Sequence, residues 1–146
     1  MEVKVAQEAG FCFGVQRALD MIERALAEGK KLTTLGPLIH NWHVVRRLAE
    51  RGAPYVDVDE DGDDIGGLRR IKTPYVVIRS HGVSPEVFEE ARRLGLKIID
   101  ATCPFVRTAQ EVAHQLAEEG YQVVVVGKAV SYTHLRAHET EADLVC

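Results

Sequence analysis

An alternation that runs the length of this chain constrains its fold more than any single motif. Short apolar runs of strand character take turns with longer, one-faced helical stretches. Leu32–Leu35, Pro54–Val58, Tyr75–Ile78, Leu96–Ile99 and Tyr121–Val126 read as strands, and Val3 and Val5 suggest a short strand ahead of them. The helical stretches begin with 15–28, where Val15, Ala18, Leu19, Ile22, Ala25 and Leu26 form one stripe and Gly29 serves as C-cap. Gly36-Pro37 breaks the next strand, and Asn41 is placed to cap a helix carrying Val44, Val45 and Leu48, which Arg51-Gly52 ends. Ser84 as N-cap, Pro85 at the first helical position and Glu86 in the first turn start a helix that runs to Leu94 and closes at Gly95. A last helix follows Pro104, with Val106, Ala109, Val112, Ala113 and Leu116 facing inward, and ends at Gly120.

Such alternation predicts an α/β fold: a mainly parallel sheet with helices on both faces and right-handed crossovers. Pro54 confines its strand to an edge, because proline has no N–H for a central ladder. A boundary near Ile99–Thr102 divides a first α/β unit, residues 1–99, from an incomplete second unit, residues 100–130.

The 146 residues, 46% of them hydrophobic and 27% charged, suit a soluble chain that buries a core. A net charge of −4 without a basic block excludes nucleic acid as the main partner. Glu2 and Lys4, with no apolar run behind them, argue against a secretory leader. The longest strongly apolar run, Val123–Val126, is too short to span a bilayer, so no membrane partner is expected. Three widely spread cysteines do not make a disulfide framework; a reducing cytoplasm is the natural setting, with cysteine serving a metal or redox chemistry.

Asp57, Asp59, Asp61 and Gly62 imitate the opening of a calcium-binding loop. Position twelve, which should be a chelating glutamate, is Leu68, and no helix leads in, so Asp57–Gly67 reads as a solvated acidic loop.

The chemistry gathers elsewhere. In Gly10-Phe11-Cys12-Phe13-Gly14 a cysteine stands between two aromatics and two glycines just before a helix. The glycines allow a tight turn and close approach by a ligand, and the helix offers N–H groups and a dipole end that suit an anionic sulfur. The bland alternative is a small buried residue packing a turn. Cys12, His40, His81 and Cys103 each fall in a turn between a strand and a helix. In open parallel sheets those turns share the carboxyl edge, where ligands bind. Singly, a histidine in a turn is more often a capping or hydrogen-bonding residue. Together, two thiols and two imidazoles suggest a metal site, or a metal site beside an anion site. Thiolates select zinc or an iron–sulfur cluster. The close cysteine pairing of structural zinc sites is missing, and a cluster can draw its ligands from distant loops. The histidines are then candidates for a negatively charged substrate, with helix N-termini behind them. A zinc- or phosphate-binding α/β module without redox activity remains the alternative.

Gly10-Phe11-Cys12-Phe13-Gly14-Val15, Gly36-Pro37-Leu38-Ile39-His40-Asn41, Ser80-His81-Gly82-Val83-Ser84 and Asp100-Ala101-Thr102-Cys103-Pro104 resemble, in order, the motifs of the 4-hydroxy-3-methylbut-2-enyl diphosphate reductase (LytB) family. The resemblance covers roughly residues 1–129. It implies a fold of three similar α/β units around an iron–sulfur cluster, 4Fe-4S, held by three cysteines with one iron open to substrate. It implies reductive dehydroxylation of an allylic diphosphate, giving isopentenyl and dimethylallyl diphosphates in the non-mevalonate isoprenoid pathway, with electrons from a ferredoxin- or flavodoxin-type donor. By the same resemblance Cys12 and Cys103 match cluster ligands, and His40 and His81 match diphosphate-binding histidines.

After Ala129 the chain departs from the family pattern, which continues with a substrate histidine and a proton-delivering glutamate. Residues 131–146 resemble translated adapter or read-through sequence on a truncated gene. Cys146 is not promoted to the third ligand position, nor His134 and Glu139 to the catalytic pair, so no catalytic residue is assigned. The chain as written is expected to be an inactive fragment.

Overall fold

In the computed structural model, residues 3–4, 10–58 and 64–124 are described. Their elements run α1 (Phe13–Ala27), β1 (Leu32–Leu35), α2 (Trp42–Glu50), β2 (Tyr55–Val56), α3 (Asp64–Arg70), β3 (Tyr75–Ile78), α4 (Pro85–Arg93), β4 (Lys97–Asp100) and α5 (Pro104–Glu118). The strands pair in the order β2-β1-β3-β4, every pair parallel. This is the α/β class the alternation predicts, and Pro54 does precede an edge strand. Its carbonyl accepts from the Thr34 N–H at 2.9 Å, so proline loses nothing by lacking a donor.

The period of two along each strand divides the core into two layers. On one face Leu32 and Val77 pack with Ala18, Leu19, Ile22 and Ala25 of α1 and with Val44, Val45 and Leu48 of α2. On the other, Leu35, Val76 and Ile78 pack with Leu68 of α3 and with Val87 and Ala91 of α4. The pairing Leu32↔Tyr75 through Leu35↔Ile78 keeps each face in step across the two central strands. Asn41 caps α2 as its sequence position predicts, its side chain accepting from the Val44 N–H at 3.2 Å.

Several expectations are corrected. The acidic segment is not a solvated loop throughout: Asp64–Arg70 is helical and Asp64 is buried. Two glycines hide this helix from propensity. Gly67 is there for packing, since a Cβ on it would meet Leu35 Cδ1 at 2.9 Å. Ser84 stands at the N-cap of α4 without capping the backbone. The Glu86 carboxyl in the first turn is lowered, by the Ser84 hydroxyl first and then by its own backbone N–H. The apolar stripe of α5 does not face inward; none of its residues is buried, and Val112 and Leu116 are exposed. Periodicity shows that a helix has an apolar face, not what covers it. Tyr121 and Val124 are exposed and belong to no strand, nor does Val3. Val5, Val125 and Val126 lie outside the described residues, as do residues 131–146.

Candidate functional site

In the order β2-β1-β3-β4 the chain leaves β1 for one side of the sheet and later returns to place β3 on the other. The loops after β1 and β3 therefore diverge toward opposite faces, α2 lying on one and α4 on the other. The carboxyl ends of those two strands are the crevice where open α/β sheets take ligands. His40 is in the loop after β1 and His81 in the loop after β3. Their rings meet across the crevice, centroids 4.6 Å apart and planes tilted by 51°.

A short series of hydrogen bonds ties these loops to the cysteines. The Ser80 hydroxyl donates to the Leu38 carbonyl at 3.1 Å, joining the two histidine loops. The Cys103 N–H donates to the Ser80 carbonyl at 2.8 Å, joining His81's loop to the one after β4. Asp100 steadies that third loop by accepting from the Thr102 N–H at 2.9 Å while pairing with Arg107 of α5. Gly82, at φ +79°, lets its loop turn where Gln110 and Thr102 close in; a Cβ there would stand 3.1 Å from the Gln110 amide nitrogen.

Cys12 and Cys103 are the N-cap residues of α1 and α5, and neither side chain is spent on capping. Both thiols are free; Cys12 is exposed and Cys103 half-buried. Three contacts bring their helix starts together. A Cβ on Gly14 would stand 2.5 Å from the Cys103 sulfur, Phe13 meets Phe105 edge to face at 6.4 Å, and Arg17 donates to the Thr102 carbonyl at 3.1 Å. Gly14 is thus a cradle for the Cys103 side chain.

The four residues separate into a sulfur pair and an imidazole pair. Among the described residues no group of three or more His, Cys, Asp or Glu side chains is placed to hold a metal. Two uncommitted thiols at adjoining helix starts do fit as part of the ligand set of a cluster that draws on separated loops. They do not amount to the closed four-ligand set of structural zinc. A groove of about 600 Å³ between α4 and α5, bordered by Phe88, Arg92, Gln110 and His114, takes none of the four in its lining. Ser80, Arg17 and Asp100 were not singled out from sequence. Ser80 and Asp100 lie inside the quoted motifs; Ser80 and Arg17 work through hydrogen bonds between segments far apart in the chain, whereas the bonds of Asp100 are local.

The sequence matches a family model described as LytB protein over residues 3–134. A 4-hydroxy-3-methylbut-2-enyl diphosphate reductase of Geobacter sp. (strain M21) is 48% identical over 131 residues, which are 89% of this chain and 43% of that protein. The reductase of the same name from Aquifex aeolicus (strain VF5) is 44% identical over 131 residues, covering 88% of this chain and 42% of that one. Among solved structures, (E)-4-hydroxy-3-methyl-but-2-enyl diphosphate reductase, described as the terminal enzyme of the non-mevalonate pathway, superposes with TM-score 0.72 at 41% identity, over 92% of this chain and 45% of that one. The Plasmodium falciparum reductase gives 0.76 at 26% identity, over 90% and 39%. The chain spans less than half the length of the relatives it matches. No helix among the described residues is long and apolar enough to cross a membrane.

Proposed function

The chain belongs to the LytB protein family, whose matched members are reductases, and on that premise we propose that it carries the diphosphate-binding edge and two cluster-ligating thiols of a 4-hydroxy-3-methylbut-2-enyl diphosphate reductase. The observation that carries this reading is the contact of His40 with His81 where the strand order reverses. Two imidazoles there can donate together to one diphosphate, with the N-termini of α2 and α4 behind them adding N–H groups and positive dipole ends. Cys12 and Cys103 are this chain's share of the ligands to a 4Fe-4S cluster, which when bound supplies the electrons for removing the substrate hydroxyl. Phe11 and Phe13, either side of Cys12 in the chain, and Phe105, two residues after Cys103, are exposed, and Phe13 meets Phe105 edge to face. Residues 1–99 form the first α/β unit of the family fold and residues 100–130 open a second. The electron donor is of ferredoxin or flavodoxin type, and the compartment is the cytoplasm; neither nucleic acid nor membrane is a partner.

Anaerobic loading with iron and sulfide tests the reading. The chain is expected to take up iron and sulfide and turn brown, and Cys12→Ala and Cys103→Ala to lose most of both. Colourless uptake of zinc, with iron refused, would favour the zinc- or phosphate-binding module instead.

A further inference from the structure

One strongly charged pair lies buried beside the site without belonging to it. Arg79, the residue after β3, reaches with its guanidinium to the first residue of α3. Its Nη1 lies 3.0 Å from Asp64 Oδ1 and its Nη2 donates to Oδ2 at 3.3 Å. The Asp64 side chain is 1% exposed and that of Arg79 12%. Burying two charges costs more than packing apolar groups of the same size, so such a pair is a poor device for stability alone. Its geometry shows another use. Arg79 Nη1 also donates to the Leu35 carbonyl at 3.4 Å, and the same nitrogen would stand 2.6 Å from a Cβ on Gly36. Gly36 has φ +71°, so the backbone turns there with the guanidinium against it. The guanidinium thus rests on the end of β1, five residues before His40, while its own backbone lies two residues before His81.

We propose that Arg79, held by Asp64, is a positioning residue that sets the spacing of the His40 and His81 rings. The planar fork of arginine suits this role, because its two terminal nitrogens face the carboxylate while one of them, Nη1, also donates to the β1 carbonyl, so rotation of either loop breaks a directed bond. Lysine could keep the charge but not both directions. That the rings bind diphosphate rests on the function proposed above; that Arg79 sets their spacing does not.

The test uses the full 146-residue chain carrying Arg79→Lys, Asp64→Asn, or the paired apolar replacement Arg79→Met with Asp64→Leu, which removes both charges and retains volume. Imidazole NMR signals are recorded, with His43 and His114 as internal references, and inorganic pyrophosphate is titrated calorimetrically. In folded variants the His40 and His81 signals are expected to move while His43 and His114 hold, and pyrophosphate affinity to fall about tenfold. Unmoved His40 and His81 signals in a folded variant would overturn the proposal. So would loss of the fold in every variant, which would make the pair a stability element. If the unaltered chain fails to bind pyrophosphate, the diphosphate reading falls, and the imidazole signals decide the positioning role by the same two outcomes.

Discussion

The ring of His40 meets the ring of His81 with 4.6 Å between centroids, although 41 positions of sequence, two strands and two helices separate them. Neither loop could make a two-imidazole site alone. The parallel pairing of β1 with β3 brings the loops side by side, and the Ser80–Leu38 hydrogen bond joins them.

Removing either ring should therefore weaken diphosphate binding without touching the sulfurs. A hydrogen bond to a charged group contributes about 1.5–3 kcal/mol, so His40→Ala or His81→Ala is expected to raise the Kd for pyrophosphate by about tenfold or more. Iron content after anaerobic loading should stay at the level of the unaltered chain. Calorimetric titration and iron analysis on the same samples check both halves.

Gly14→Ala tests the cradle at the other pair. The added Cβ would enter within 2.5 Å of the Cys103 sulfur, and the helix starts must move apart. Overpacking of this kind costs about 1–3 kcal/mol. Cys103 is expected to react faster with a thiol reagent while Cys12, already exposed, changes little. Timed alkylation with mass-spectrometric readout separates the two.

Burial, not periodicity, should govern the cost of truncating apolar residues in this chain. Ile22 is fully buried and Leu116 is 37% exposed. Ile22→Ala is expected to cost about 2–5 kcal/mol. Leu116→Ala, from an equally regular stripe, should stay within about 0.5 kcal/mol. Urea titrations of both variants measure the difference.

The same contrast shows how far sequence carried. The four strands of the sheet, its parallel class and the start of α2 were legible because each rests on local chemistry: short apolar runs between turn residues, their alternation with helices, and a capping asparagine. What was not legible depends on distant partners. The short helix at Asp64 was masked by Gly66-Gly67 and by charge that reads as solvated, yet Asp64 is buried and pairs with Arg79, which reaches it from the loop after β3. The face of α5 had the right period, but its cover is a matter of what packs against it. The division into a sulfur pair and an imidazole pair follows from loop contacts such as Gly14 with Cys103, which no spacing encodes.

Acid should expose one further pairing. The Glu90 carboxyl is held down at about 2, from an ordinary 4.5, by its hydrogen bond from Arg93 first and by Arg69 as well. A carboxyl lowered in the folded state stabilises above its ordinary value, and that contribution fades as pH falls from about 4.5 through about 2. Both guanidiniums are largely exposed, at 66% and 61%, so the effect is small and weakened by salt. Glu90→Gln is expected to melt below the unaltered chain at about pH 6 and to converge with it as pH approaches about 2. Melting curves at low and high salt give the comparison.

The central claim is that the imidazole pair and the sulfur pair serve one site, and phosphorus NMR of bound pyrophosphate tests it most directly. The chain is loaded with iron and sulfide without oxygen, reduced with dithionite, and mixed with pyrophosphate. Nearby paramagnetic iron broadens the phosphorus line. Broadening is expected in the unaltered chain, with loss in His81→Ala because pyrophosphate leaves and in Cys12→Ala or Cys103→Ala because iron does. Pyrophosphate bound to the iron-loaded chain with an unbroadened line would contradict the account.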